Sequence, residues 1–238
     1  MKIKEIYNIA VPLAKRKEEK WNLWVAFLVR PLSVLLTKPL LSFRFKPLLI
    51  TAVSIVFCVA GFFVLSFANN LLLKLIGWFL FFAWAILDGV DGNYARCSNQ
   101  CSQLGDLWDT TGGYLAMALI YFACGIVAFN DDNFFYVVKP HFYLLMGGAT
   151  AFFAIFPRLV MHKKKSYGTD SSGIQFLSNK HNFGIVQILA MNIVSPSGFM
   201  QVIFLLCIIF RFVNLFGIVY FCINLLIMVI SLFKLLRK

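Results

Sequence analysis

Acidic side chains are scarce in this chain. Among 238 residues there are 10 Asp and Glu against 22 Lys and Arg, and charged residues of both signs make up only 13%. Soluble globular chains carry about 25% charged residues, so this one has too little polar surface to cover itself in water. The balance is apolar: 61% of residues are hydrophobic, and the mean hydropathy is +0.81. The composition identifies an integral membrane protein and excludes a soluble domain. Cysteine and histidine are sparse too. The 6 cysteines fall mostly inside apolar runs, where a thiol acts as a small hydrophobe. Cys97 and Cys101 stand one helical turn apart with no second Cys or His pair, which argues against a zinc site, and no disulfide framework is implied. A signal peptide is not expected, because basic residues between Lys2 and Lys20 surround a short apolar patch with no small-residue cleavage site. No internal repeat or low-complexity tract is present.

Long apolar runs are abundant instead. A membrane-crossing helix needs about 20 mostly apolar residues. That length predicts six spans, over 48–67, 71–91, 104–129, 142–161, 183–210 and 212–235. The fifth contains the stretch Ser195-Pro196-Ser197-Gly198 and is expected to bend or break there, since an interior proline removes a helix hydrogen bond. Residues 21–46 are apolar but interrupted by Arg30, Pro31, Lys38, Pro39, Arg44 and Lys46. Charge at the bilayer centre is costly, so this segment is expected to form an amphipathic helix in the membrane interface; a seventh span is the alternative. The expected fold is an all-α polytopic bundle in a single membrane domain, with residues 1–46 as its interfacial segment and 47–238 as six transmembrane helices.

The net charge is +12, and its distribution indicates orientation. The N-terminal arm, the His162–Lys165 run and the C-terminal Lys-Leu-Leu-Arg-Lys are basic, whereas the loop after the third span carries Asp131 and Asp132. The positive-inside rule then places both termini and the connection 92–103 in the cytoplasm. Basic residues facing an anionic leaflet explain the charge better than nucleic acid does.

Four of the 10 acids, Asp88, Asp91, Asp106 and Asp109, crowd where the second span leaves the membrane and the third enters it. Each pair is three positions apart and so shares a helix face. A short turn between the two helices is expected to make them antiparallel neighbours whose acidic faces converge. Crowded carboxylates repel one another, and a divalent cation relieves the repulsion; oxygen-only ligands suit Mg²⁺, Mn²⁺ or Ca²⁺. Gly89, Gly92, Ala95 and Gly105 leave the surroundings bare, and Arg96 supplies a fork that fits phosphate oxygens. Together these point to a pyrophosphate site. Structural roles explain some of the same residues, because acids in a first helical turn complement the macrodipole and small residues help membrane helices pack.

In this stretch the chain resembles the CDP-alcohol phosphotransferase family, whose pattern is D-x2-D-G-x2-A-R-x8-G-x3-D-x3-D. Asp88, Asp91, Gly92, Ala95, Arg96, Gly105 and Asp109 stand at the matching positions. The resemblance implies transfer of a phospho-alcohol group from a CDP-linked donor, such as CDP-diacylglycerol, to a hydroxyl acceptor with release of CMP. It implies Mg²⁺ or Mn²⁺ held by Asp88, Asp91 and Asp109, a cytidine moiety accommodated by Gly92, Ala95 and Gly105, Arg96 organising the site or touching phosphate, and a homodimer. The last aspartate of the pattern, which the resemblance makes the base and a second-metal ligand, is replaced by Gly113. The replacement has three readings: a catalytically altered relative that binds nucleotide or lipid without turnover, an acceptor that needs no strong base, or compensation by Asp106. Asp106 lies one turn before Asp109, on the face shared with Gly113. His162 and His181 are other potential bases on the same side. Arg158, Lys163 and Lys164 come after the fourth span and suit lipid head groups or a phosphate on the acceptor. A cation transporter is the remaining rival, although transporters place such acids near the midplane.

Overall fold

The computed structural model describes residues 1–13, 16, 22–43, 45–130, 138–167 and 192–237. His181, residues 183–191 of the fifth predicted span and the acidic loop at 131–137 lie outside the described residues. Within them the chain is helical, with no strand. It runs through α1 (Ile3–Ala10), a π-helical turn (Val25–Val29) continuous with α2 (Arg30–Leu40), α3 (Pro47–Ser66), α4 (Leu71–Cys97), α5 (Gln103–Asn130), α6 (Pro140–Ser166), α7 (Phe199–Ile209) and α8 (Val213–Leu236). Among the described residues 5 helices, α3 to α6 and α8, are long and apolar enough to cross a membrane. The protein is therefore an integral, multi-pass membrane protein, as its composition predicts.

Local chemistry sets the helix ends. Pro47 and Pro140 occupy first-turn positions of α3 and α6, where a missing N–H costs nothing. Asn70 caps α4 by accepting from the Leu73 N–H at 2.9 Å. At the other end of α4, Asn99 takes a left-handed φ of 56°. Gln100 N–H then reaches the Ala95 carbonyl at 2.8 Å and Asn99 N–H the Arg96 carbonyl at 3.4 Å, the paired bonds that close a helix C-terminus. Ser102 opens α5 by accepting from the Gly105 N–H at 3.0 Å. The connection 98–102 is thus a fixed turn.

Five of the six predicted spans, the first four and the sixth, exist with shifted ends: α4 continues past Asp91 to Cys97, and α6 runs from Pro140 to Ser166. The fifth is interrupted at Pro196, as expected, and on its C-terminal side only the 11-residue α7 remains. One core cluster joins α3 to α8 through Phe81, Trp84, Ile120, Tyr143, Phe204 and Phe216. One close crossing pairs two glycines: a Cβ at Gly125 would lie 2.8 Å from the Gly147 Cα, so α5 and α6 pack backbone to backbone.

Two arrangements differ from the sequence expectation. First, α4 and α5 are not tightly packed neighbours. Both pack extensively on α3 and touch each other little, so α3 fills the space behind them and the turn leaves a gap in front. Second, one of the charges expected at an interface, Arg30 of α2, is buried in the protein, whereas Lys38 is exposed. The Arg30, Ser33, Val34 and Thr37 face of α2 is buried, and α2 packs against α4.

Candidate functional site

The gap at the α4–α5 turn is a cavity of about 470 Å³. Its walls are the first turn of α3 (Lys46, Pro47, Leu48, Thr51), the last turns of α4 (Asp91, Gly92, Ala95, Arg96), the turn residues Gln100 to Ser102, and the start of α5 (Leu104, Gly105, Asp106, Asp109). Two helix N-termini, those of α3 and α5, therefore open at the cavity with the positive ends of their dipoles. Lys46 and Arg96 add full positive charges. An anion such as a pyrophosphate meets favourable potential there, and the acids set among the cations give a divalent ion a place beside it.

Asp91 is the central carboxylate. It is only 4% exposed. Thr51, reaching across from α3, donates its hydroxyl to Asp91 Oδ2 at 2.6 Å. The other oxygen, Oδ1, is buried with no hydrogen-bond partner. A buried carboxylate oxygen left unpaired is costly, and a hard cation is the partner that would satisfy it. The charges of Asp109, from α5, and of Arg96 both act on Asp91. Asp106 and Asp109 are exposed on the opposite wall, and Asp106 also sits in the first turn of α5, where the helix dipole favours it. Asp88 is half-buried one turn deeper on α4 and is not part of the cavity wall. Among the described residues no three Asp, Glu, His or Cys side chains stand together in a ligand cluster. The pair that spans the cavity is Asp91 and Asp109.

The small residues have separate functions. Gly105 is open: a Cβ there would meet only Ser102 Oγ, at 3.2 Å. Ala95 lines the cavity as expected. Gly92 also lines it, and it makes room for an arginine: a Cβ would stand 3.2 Å from Arg96 Nη2 and 3.3 Å from Nη1. The Arg96 guanidinium is folded back over that bare turn. Gly92→Ala should leave folding intact, because alanine is the better helix former by about 1 kcal/mol. By moving the guanidinium a few tenths of an ångström it should lower turnover by about tenfold, roughly 1.4 kcal/mol. Thermal denaturation in detergent alongside CMP release would separate the two effects.

The basic residues in the C-terminal part of α6 do not line this cavity. Arg158 is exposed, and Lys163 lies over the Tyr167 ring, 4.9 Å from its centroid. Lys164 donates to the Leu235 carbonyl in the last turn of α8, where a cation complements the helix dipole. His162 stands edge-on to Tyr114, with ring centroids 5.8 Å apart, and not at the carboxylates. Gly113, one turn beyond Asp109, would place a Cβ in open space, with no atom within 4 Å.

Sequence reasoning missed Thr51, and with it the pairing of Asp91 to α3. The available signal was a hydroxyl one turn inside an apolar span, since polar groups in membrane helices tend to be functional. It also missed Arg30, Ser33 and Asn93, which approach Arg96 from behind.

None of the curated proteins compared with the chain matches it. The family model for CDP-alcohol phosphatidyltransferase matches residues 44–233, which include every helix from α3 to α7 and most of α8. A match of that extent makes this chain a member of the CDP-alcohol phosphatidyltransferase family, a family of transferases that move a phospho-alcohol group from CDP-alcohols in lipid biosynthesis.

Proposed function

We propose that the protein transfers a phosphatidyl-type group from a CDP-linked donor such as CDP-diacylglycerol to a hydroxyl acceptor, releasing CMP, on the cytoplasmic side of its membrane and as a homodimer. The observation that carries this reading is the unpaired, buried Asp91 Oδ1 in a cavity that also holds Asp109, Arg96 and two helix N-termini.

Asp91 and Asp109, with Asp88 behind them, would hold Mg²⁺ or Mn²⁺, which supplies charge neutralisation for the pyrophosphate as its bridging bond breaks. Thr51 fixes the Asp91 carboxylate by its 2.6 Å hydrogen bond, so the free oxygen is presented in one orientation. Arg96 and Lys46 attract the donor's phosphates, and Gly105 and Ala95 keep the wall low enough for a nucleotide. The acceptor oxygen forms a bond to the phosphorus that carries the alcohol group. The bond from that phosphorus to the bridging oxygen breaks, and CMP leaves with the oxygen and its electron pair. Asp106, on the cavity wall, takes the acceptor's hydroxyl proton. Arg158 and Lys163 draw anionic head groups, or a phosphate on the acceptor, to the same side.

Purified protein given labelled CDP-diacylglycerol, Mg²⁺ or Mn²⁺ and a panel of acceptors should release CMP in step with a new phospholipid, and EDTA should stop it. CDP binding without CMP release on any acceptor would replace this reading with that of a non-catalytic relative, which Gly113 favours. Asp106→Asn should lower turnover about tenfold without changing CDP affinity, because loss of a proton acceptor slows chemistry and not binding. Unchanged turnover would remove Asp106 from the mechanism.

A further inference from the structure

Residues 1–43 precede the family match, yet α1 and α2, which lie within them, pack against the motif helix α4 from behind. Asn93 stands in the motif's variable interval, between Gly92 and Ala95, and is fully buried. Its Oδ1 accepts from Arg30 Nη1 at 2.9 Å and from Arg96 Nη2 at 3.3 Å. Its Nδ2 donates to Ser33 Oγ at 3.1 Å, and Ser33 in turn donates to the Arg30 carbonyl at 2.9 Å. Arg30 is only 7% exposed. The remaining reach of Arg96 also goes to the N-terminal segment: its Nε donates to the Ala10 carbonyl, at the end of α1, at 2.6 Å. Gly89 lets α2 come this close, since a Cβ there would lie 3.0 Å from the Ser33 Cβ.

From this arrangement we infer that Asn93 and Arg30 are positioning residues that fix the Arg96 guanidinium over Gly92, and that the N-terminal segment ahead of the family match is part of the donor site. The inference rests on the proposed transferase reading, in which Arg96 faces the donor's phosphates. The choice of an amide is chemically specific. A neutral oxygen can hold two guanidinium groups in place without cancelling their charge, so Arg96 stays fully cationic toward the cavity. A carboxylate at the same position would hold the same geometry and weaken the field.

Equilibrium binding of CDP with Mg²⁺ to the full chain in detergent tests this without turnover. Asn93→Leu removes the shared acceptor and should weaken CDP binding about tenfold, the scale of one hydrogen bond to a charged group. Asn93→Asp should weaken it as well while the protein melts no lower than wild type, an outcome that a purely structural role would not produce. In an Arg96→Lys background, Asn93→Leu should cost less than about twofold more, because residues acting through one group are not additive. If Asn93→Leu does not fold, Arg30→Lys, which keeps the charge and loses the fork, takes its place in the cycle with the same expectation. Wild-type affinity in these single variants, or additive losses in the cycle, would overturn the inference while the transferase reading stands. Wild-type protein that binds no CDP would overturn both.

Discussion

Asp91→Asn is expected to abolish CMP release, a loss of about a thousand-fold or roughly 4 kcal/mol of transition-state stabilisation. The substitution is isosteric, and the asparagine oxygen still accepts the Thr51 hydroxyl. It also removes a buried charge whose Oδ1 has no hydrogen-bond partner in the protein. Folding should therefore be preserved or improved, since an uncompensated buried charge is destabilising. The loss is of the negative oxygen that a divalent ion would need. The measurement is paired: melting temperature in detergent, expected to hold or rise, and the Mg²⁺ dependence of CMP release, expected to vanish. A variant retaining more than a tenth of wild-type turnover would place the chemistry elsewhere. Chelation of wild-type protein with EDTA should reproduce the loss, and excess Mg²⁺ should reverse it in wild type only.

Gly113→Asp is expected to act in the opposite direction and raise turnover about a hundred-fold, the lower end of what general base catalysis contributes. The position lies one turn beyond Asp109 on the same face of α5, and a side chain there enters open space. The substitution supplies the aspartate that the resemblance implies at this position. In the proposed mechanism it also shortens the path of the acceptor's proton, which would otherwise go to Asp106 at the first turn of α5. Once the aspartate is present Asp106 should become dispensable, so that Asp106→Asn slows the native chain and leaves the Gly113→Asp chain unchanged. Rapid-mixing measurement of the first turnover isolates the chemical step. A rate that does not rise would mean that proton removal does not limit this enzyme.

The membrane class and the spans are legible because apolar length is read directly from sequence: α3, α4, α5, α6 and α8 each correspond to an apolar run of bilayer length. The carboxylates are legible because acids are so rare elsewhere in the chain. Their distribution over the cavity is not. Spacing places Asp88 and Asp91 on one face, but which of them reaches the gap depends on how α3 rotates α4, and nothing local encodes that. The short connection between α4 and α5 predicts their convergence. The structure separates them because α3 offers both a better apolar partner. Arg30 reads as an interfacial charge from its neighbours alone. Its burial depends on Asn93, 63 residues later, and on the bare flank of Gly89. The motif residues are adjacent in sequence, whereas Thr51 and Arg30, which hold Asp91 and Asn93 in place, come from segments distant in sequence.

The placement of α3 has a consequence for how substrate preference can change. Thr51 grips Asp91 on one flank of this helix, and Ile55, one turn on, lies against Gly112 of α5, where a Cβ would stand 3.3 Å from Ile55 Cγ1. This helix works as a shim whose thickness sets the spacing of the two cavity walls on α4 and α5. Exchanging Ile55 for a slimmer or bulkier neighbour would narrow or widen the slot by a fraction of an ångström, tuning which head groups fit while every motif residue stays as it is.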